Sequence, residues 1–402
     1  MLSQAAISPP PLRQVDELPG DAGARVQVGG RITALVDEEN FELSDGTGSV
    51  LIRNIGGRSA APRVGDIIVA TGKIDRSSGE MAIACTQIEI KVRPDRPLPS
   101  REDWLGHSPQ HRYRHREVDF LLTPELRGNL VVRAKVIRAL RQVLDARGFL
   151  EVETPILLRA PDVAPVSHFV ASHSTSQLYL RICPESYLKR LVVGGFGRVY
   201  EIGKSFRYET GSHQGLPEFT LMECYQAFAE YQGMAALTEE LVASAAEAAL
   251  GHSLIQVDGR TVDLRRPWKR VLLREAVLAK TGLDILNANE DKLRQLLGAA
   301  GSHLSGATPR WTLIDKVIEA HVQPDLTEPT FLMDYPVETI CAAARHPEDP
   351  RIIERFEAYV GGVEIAHAFS ELTDPTDQRN RMVDVLDART RAGEEPGPLA
   401  GR

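Results

Sequence analysis

The strongest constraint on the fold is the number of strand patterns in the second part of the chain. From residue 118 onward, strand-like runs outnumber the single helices that could connect parallel neighbours. These runs cover residues 177–183, 197–206, 218–228, 330–335 and 355–371. Helical spacing of apolar residues occurs at 132–143, 237–245 and 313–320. Together these patterns predict an α+β fold in which helices flank an antiparallel sheet.

Residues 25–90 have a different pattern, with short strands separated by turn signals. The pairs Asp45-Gly46 and Ser78-Gly79 mark two of the turns. About five strands in roughly seventy residues predict a small barrel of the OB type. A small β-sandwich is the alternative that the pattern leaves open.

Changes in composition suggest where the domains begin and end. We expect a flexible N-terminal tail at 1–24, the OB-type domain at 25–95, a linker at 96–117, the larger domain at 118–386 and a second tail at 387–402. The linker is rich in proline and contains Arg112, Arg114 and Arg116. These arginines either contact a phosphate backbone or are simply solvated.

The overall composition narrows the class of protein. The 402 residues are 43% hydrophobic and carry a formal net charge of −8, so composition alone does not indicate a nucleic-acid partner. No apolar run reaches the length of a membrane span, and the N-terminus lacks the pattern of a secretory signal. We therefore expect a cytoplasmic protein whose four cysteines are reduced thiols.

Charged side chains interrupt two strand patterns in the larger domain. Arg207 and Glu209 follow one strand, and Glu218 and Glu223 lie within the next, beside apolar neighbours such as Phe219. Buried carboxylates need a partner, either a cation from the protein or a cationic ligand. The two possibilities are a structural Arg–Glu network and a ligand site.

A further pair of glutamates flanks the turn Gly361-Gly362. Glu357 and Glu364 lie on the two strands that this turn joins. Because Mg²⁺ prefers oxygen ligands and bridges phosphates, two such carboxylates can share one ion. A last carboxylate, Glu371, follows among apolar neighbours.

In combination, these segments resemble the class II lysyl-tRNA synthetases. Residues 148–155 (GFLEVETP) are similar to class II motif 1, while 206–209 (FRYE) and 217–220 (PEFT) are similar to motif 2. Residues 184–191 (PESYLKRL), 334–336 (DYP) and 369–372 (FSEL) are similar to the lysyl type in particular. The resemblance implies that residues 118–386 form a class II catalytic domain and that motif 1 builds a homodimer.

The resemblance also implies roles in binding ATP and Mg²⁺. Arg207 would bind the α-phosphate of ATP and the carboxylate of the amino acid, as the paired donors of a guanidinium can. Phe219 would stack on adenine, and Glu209 would lie beside the adenine or ribose. Glu357 and Glu364 would be the metal ligands.

The amino-acid pocket implied by the resemblance is acidic. Glu185 would contact the α-amino group of the substrate, and His367 stands where the family usually has an asparagine. The ammonium group of the side chain would lie among Glu223, Tyr225 and Glu371, with Phe369 as a wall. Since a buried ammonium needs anionic partners, the expected substrate is lysine or a close cationic analogue.

The chain departs from the family pattern in several places. No Gly-rich motif 3 with its phosphate-binding arginine follows Leu372, so we expect a C-terminally truncated sheet with an exposed edge. His213 lies in a motif 2 loop that lacks the usual Arg-His-Asn run.

In the barrel, Phe41 and Glu80 match anticodon-contacting positions, but residues 25–90 hold seven basic and nine acidic residues. Phe41 is either a stacking residue or a core residue.

Three functional hypotheses follow from the sequence, beside a poorly folded truncated product. The first is an enzyme that activates lysine with ATP and transfers it to tRNA. The second is a paralogue that activates lysine, or an analogue, for a different acceptor. The third is a non-catalytic protein that binds lysine and has a regulatory role.

Overall fold

A computed structural model describes residues 10–56, 61–161, 168–173, 176–207 and 216–391. The chain divides into two compact units, Met1–Gly128 and Asn129–Arg402. Each unit is described by itself below.

The first unit is dominated by one sheet of alternating apolar and polar residues. Its strands are β1 (Leu12–Arg13), β2 (Arg25–Leu35), β3 (Asn40–Ser44), β4 (Ser49–Asn54), β5 (Ile67–Asp75) and β6 (Ala82–Val92). They pair in the order β1-β2-β3-β4-β6-β5, and the N-terminal half of β2 also pairs with β5. Val28, Ile32, Phe41, Leu43 and Ile52 lie in the core because alternate residues of a strand share one face. The predicted strand-rich sheet is confirmed, whereas the OB-type barrel stays a prediction.

The structure differs from the expected loose tail within the described residues 10–24. Strand β1 pairs in parallel with β2, and a short 3-10 helix covers Val15–Glu17. The Val15 side chain is buried in the core of the sheet, and its backbone N–H donates to Asp45 Oδ2 at 2.8 Å. Burial of this single apolar residue ties the segment to the sheet, a contact that periodicity in a proline-rich stretch does not reveal.

Helices also occupy the segment expected to be a linker. They are α1 (Arg101–Leu105), α2 (Pro109–Arg114) and α3 (Arg116–Leu122). The buried carboxylate of Asp119 accepts hydrogen bonds from the Trp104 indole at 2.9 Å, from Arg112 at 2.8 Å and from Arg116 at 2.6 Å. Two of the three basic residues therefore neutralise a buried carboxylate, an arrangement that neither of our two alternatives included.

The second unit contains most of the helices and strands. The helices are α4 (Pro124–Ala146, beginning in the first unit), α5 (Glu185–Val193), α6 (Tyr231–Leu250), α7 (Leu273–Thr281), α8 (Glu290–Leu297), α9 (Ala299–Ser302), α10 (Arg310–His321) and α11 (Pro375–Arg391). The strands are β7 (Leu150–Glu151), β8 (Leu157–Leu158), β9 (Val170–His173), β10 (Ser176–Leu180), β11 (Arg198–Phe206), β12 (Glu218–Gln226), β13 (Leu254–Val257), β14 (Arg260–Asp263), β15 (Lys269–Leu272), β16 (Thr330–Pro336), β17 (Ile352–Val360) and β18 (Val363–Phe369). Further 3-10 turns cover Gln323–Asp325 and Val337–Thr339.

Two sheets of this unit carry the segments singled out in the sequence. One has the order β12-β11-β7 and the other the order β15-β16-β17-β18. The long strands pair antiparallel as predicted, but β7 with β11 and β15 with β16 pair in parallel. Helices α7, α8 and α10 pack around a core that includes Leu332 and Ile353, while α6 packs on Phe331 and Phe356. The predicted α+β sheet flanked by helices is confirmed.

Strand β18 lies at an edge of its sheet. Within the described residues it pairs only with β17, and Val363 and Ile365 are exposed. This agrees with the expected open edge.

Helix α11 continues to Arg391 and so covers the first residues of the expected second tail, 387–402. Among the described helices, none combines the length and apolar character that a bilayer crossing requires.

Candidate active site

The pairing of β11 with β12 places several predicted residues on one face. Glu201 is opposite Glu223 in this antiparallel pair, and alternation puts Phe219, Glu223 and Tyr225 on the same side. The opposite side of β12 carries Met222 and Cys224, which pack into a hydrophobic core. One strand therefore supplies both apolar packing and a row of site residues.

Arg207 follows directly after β11. Its Nε donates to the carbonyl oxygen of Ile182 at 3.3 Å, and its guanidinium carbon lies 5.2 Å from the centre of the Phe219 ring. Both side chains are partly exposed. The other two guanidinium nitrogens of Arg207 have no hydrogen bond to a described residue. A guanidinium over an aromatic ring with such donors suits the recognition of a phosphate next to an adenine base.

A buried ion pair lies next to these residues, at Glu201 of β11. The Arg181 guanidinium lies 2.7 Å from the Glu201 carboxylate, and neither side chain is exposed. Glu201 also accepts from the Thr154 hydroxyl at 2.6 Å, and Arg181 Nε donates to the Lys204 carbonyl at 2.9 Å. The network joins the motif 1 segment to β11. It does not include Arg207 or Glu223, so the two alternatives stated for those residues stay predictions.

Several residues predicted for the acidic amino-acid pocket lie close together, around a lysine of the protein itself. The Lys189 ammonium lies 2.6 Å from Glu185 Oε1 and 2.8 Å from Glu371 Oε2. It is also 5.6 Å from the centre of the Phe369 ring. The structure therefore brings together three of the residues expected to bind an amino acid.

Glu223 and Tyr225 complete the acidic group. The Tyr225 hydroxyl donates to Glu223 Oε2 at 3.4 Å. Burial, together with the neighbouring charge of Glu185, raises the pKa of Glu223 to about 8. Burial also raises the pKa of Glu371, although Lys189 opposes that shift. A cationic ligand beside these carboxyls would lower their pKa and favour their ionised form.

Glu357, a proposed metal ligand, is already occupied by protein partners. Its Oε2 accepts hydrogen bonds of 2.6 Å from both Tyr335 and Tyr359, and its Oε1 lies 2.5 Å from the Arg355 guanidinium. Glu364 is more open and lies 3.5 Å from His367 Nδ1. The described residues contain no group of three or more acidic, histidine or cysteine side chains that could hold a metal ion.

This arrangement does not fit a shared Mg²⁺ site. A cation at Glu357 would have to compete with a guanidinium and two phenol donors, whereas Glu364 offers the more accessible carboxylate. The assignment of Glu357 and Glu364 as metal ligands stays a prediction that requires these contacts to rearrange.

Other predicted residues lie elsewhere. Glu209 and His213 fall outside the described residues. Phe41 is only 2% exposed and packs in the core of the first unit, the second of our two alternatives, so stacking on a base would require its ring to emerge. Glu80 is exposed in a turn.

The sequence reasoning missed the roles of Lys189 and Arg181. Lys189 follows Glu185 by four residues on α5, a spacing that places the two side chains on one helix face and was available as a signal. Arg181 gave no comparable local signal, because its partner Glu201 is contributed by another strand.

Comparison with known proteins supports these observations. The family described as tRNA synthetases class II (D, K and N) matches residues 108–395. A lysine–tRNA ligase of Pelotomaculum thermopropionicum is 41% identical over 368 residues, which are 88% of this chain and 72% of the relative. Lysine–tRNA ligases of Carboxydothermus hydrogenoformans and Thermosynechococcus vestitus are 40% and 37% identical, covering 83% and 92% of this chain and 69% and 77% of theirs. The chain therefore belongs to the class II tRNA synthetase family that these matches define.

Proposed function

We propose that this protein activates lysine with ATP and transfers it to tRNA. The observation that carries the proposal is the convergence of Glu185, Glu223 and Glu371 beside Tyr225 and Phe369. Such a group of carboxylates with a phenol and an aromatic wall suits a ligand with ammonium groups and disfavours an anionic side chain.

Arg207 and Phe219 supply the features that an ATP site needs. The adenine ring would stack on Phe219, and the guanidinium of Arg207 would neutralise the α-phosphate and orient the amino-acid carboxylate. In this reaction the carboxylate oxygen attacks the α-phosphorus, and pyrophosphate leaves. Because the nucleophile is already an anion, the protein contributes position and charge and needs no general base.

Mg²⁺ would supply further charge neutralisation on the phosphates when bound. Among the proposed ligands, Glu364 has the more accessible carboxylate, while Glu357 is held by Arg355 and two tyrosines. The residues described above therefore support ATP and lysine binding more directly than they support a metal site.

The choice of tRNA as the acceptor of the activated lysine rests on the relatives of the chain and not on residues of the site. Lysine–tRNA ligases are the relatives that match most of the chain, so tRNA is favoured over another acceptor and over a purely regulatory role. A tRNA ligase acts in the cytoplasm, where we place this protein. A homodimer is part of the same proposal, because the motif 1 segment and α4 carry exposed Leu150 and Leu130.

The experiment is ATP–pyrophosphate exchange with a panel of amino acids, followed by charging of total tRNA. We expect exchange with lysine but not with aspartate or asparagine, and its loss in Arg207→Ala. Arg265→Ala, which removes an exposed arginine paired with Asp263, is the matched control and should exchange normally. Exchange that depends on an anionic amino acid, or a folded protein without exchange, would contradict the proposal. Exchange without charging would restrict it to activation.

A further inference from the structure

Lys189 occupies the centre of the acidic pocket. Its ammonium contacts Glu185 at 2.6 Å and Glu371 at 2.8 Å, so both accepting oxygens lie within hydrogen-bond distance of one nitrogen. Two carboxylates held this close repel each other strongly unless a cation lies between them. Lys189 is therefore the group that allows both to be ionised together.

Glu223 is in a different situation. No ion pair joins it to another described residue, and its hydrogen-bond donor is the neutral phenol of Tyr225. Burial raises the pKa of Glu223 to about 8. Two of the three carboxylates are therefore paired with Lys189, and the third has no ion pair to a described residue.

On the basis of the proposed function, we infer that Lys189 is a positioning residue for the amino-acid substrate. Its ammonium keeps Glu185 and Glu371 ionised and oriented, so that both still have acceptor oxygens for the substrate. It also leaves Glu223 and Tyr225 as the place for the additional cation of a lysine side chain. Lys189 thus determines how many positive charges the pocket accepts.

The carboxylates have enough acceptor sites for this arrangement. An ionised carboxylate has about four lone-pair positions, and Lys189 uses one oxygen of each partner. The other oxygen of Glu371 has no hydrogen bond to a described residue, and Glu185 Oε2 has only a long 4.0 Å contact with the Cys183 thiol. Lys189 therefore need not leave the pocket when the amino acid binds.

Other groups also act on the two carboxylates. Among the described residues, the titratable and charged groups around Glu185 and Glu371 are Glu223, Tyr225, Arg207, Cys183, Cys341 and Arg381. Of these, Arg207 and Arg381 are cations, but neither forms an ion pair with Glu185 or Glu371. Removal of Lys189 therefore leaves the two carboxylates without an ion pair to a described cation.

The test is calorimetric titration of the full chain with lysine from about pH 6 to about pH 8.5, a range in which normal carboxyls stay ionised. Lys189→Met should raise the pKa of Glu371 further, because the ammonium that opposes that shift is removed, and should weaken lysine binding about tenfold near pH 7. The deficit should shrink as the pH rises, because Glu371 then ionises without help. Lys189→Arg retains the charge and should keep the wild-type pH profile.

A double variant and a control separate this role from a loss of packing. Lys189→Met combined with Glu371→Gln removes the like-charged pair, so the added pH dependence should disappear. Lys316→Met removes an exposed helix lysine paired with Glu319 and should bind lysine as the wild type does at every pH.

Three results would overturn the inference. Equal weakening of Lys189→Met at every pH would show a purely structural role. Tighter binding than wild type near pH 7 would show that Lys189 competes with the substrate. An arginine variant with the pH profile of the methionine variant would show that charge is not the cause. Failure of the wild type to bind lysine is distinguishable from these results and would overturn the proposed function together with the inference.

Discussion

The guanidinium of Arg181 lies 2.7 Å from the carboxylate of Glu201, and both side chains are almost completely shielded from solvent. Thr154 from the motif 1 segment donates to the same carboxylate at 2.6 Å. The pair thus fixes the start of β11 relative to two other segments before the strand reaches Arg207. Removal of either side chain alone would leave the other buried without a counter-ion.

Arg181→Met should destabilise the protein strongly. The substitution leaves Glu201 buried without a counter-ion, which costs about 3–5 kcal/mol in the free energy of unfolding. Arg265→Met removes an exposed pair with Asp263 and should cost about 0–1 kcal/mol. Urea unfolding of both variants measures the difference, and equal effects would mean that the buried pair has no special importance.

The two proposed metal ligands should behave differently when neutralised. Glu357→Gln removes the charge that Arg355, Tyr335 and Tyr359 share, so the free energy of unfolding should fall by about 1–3 kcal/mol. Glu364→Gln is the same change on the neighbouring exposed strand and should have little effect on stability. Thermal unfolding without added Mg²⁺ checks this, and a stable Glu357→Gln variant would show that those contacts are weak.

Glu223 should make stability depend on pH. Because its pKa in the folded protein is raised to about 8 from the ordinary 4.5, the folded state binds a proton that the unfolded state has lost in that range. Its contribution to stability is therefore present below about pH 4.5 and is lost as the pH rises through about 8. Glu223→Gln should be more stable than wild type near pH 9, with the advantage shrinking at lower pH, as a series of thermal melts would reveal.

The proposed homodimer can be tested on exposed apolar residues of α4 and β7. Leu130, Val131 and Leu150 are 52%, 55% and 49% exposed, and the Arg141–Glu151 ion pair of 2.9 Å joins the two elements. Leu130→Glu with Leu150→Glu should convert dimers to monomers, because a glutamate would be buried without a partner. Leu278→Glu, which changes an exposed residue of α7, is the control. Sedimentation measures the mass, and a monomeric wild type would contradict the proposal.

Much of the fold was predictable because it depends on local periodicity. The helical spacing at 132–143 corresponds to α4, and the spacing at 237–245 corresponds to α6, whose C-cap residue Gly251 has a φ of +79°. The segments around Glu223 and Glu364 are strands, as alternation predicts. Contacts between distant segments were not predictable in this way. Val15 was assigned to a tail because its partner Asp45 lies thirty residues further along the chain.

By itself, the sequence determined the family, the α+β class and the set of residues from which an acidic amino-acid pocket could be built. Those properties depend on residue types at short spacings along the chain, which can be read without knowledge of the fold. Only the tertiary structure decided how charge is distributed among these residues. It placed Lys189 between Glu185 and Glu371, and it surrounded Glu357 with donors from β16 and β17. The ionisation of a carboxyl depends on which groups lie within a few ångströms, and the path of the chain through space sets those distances.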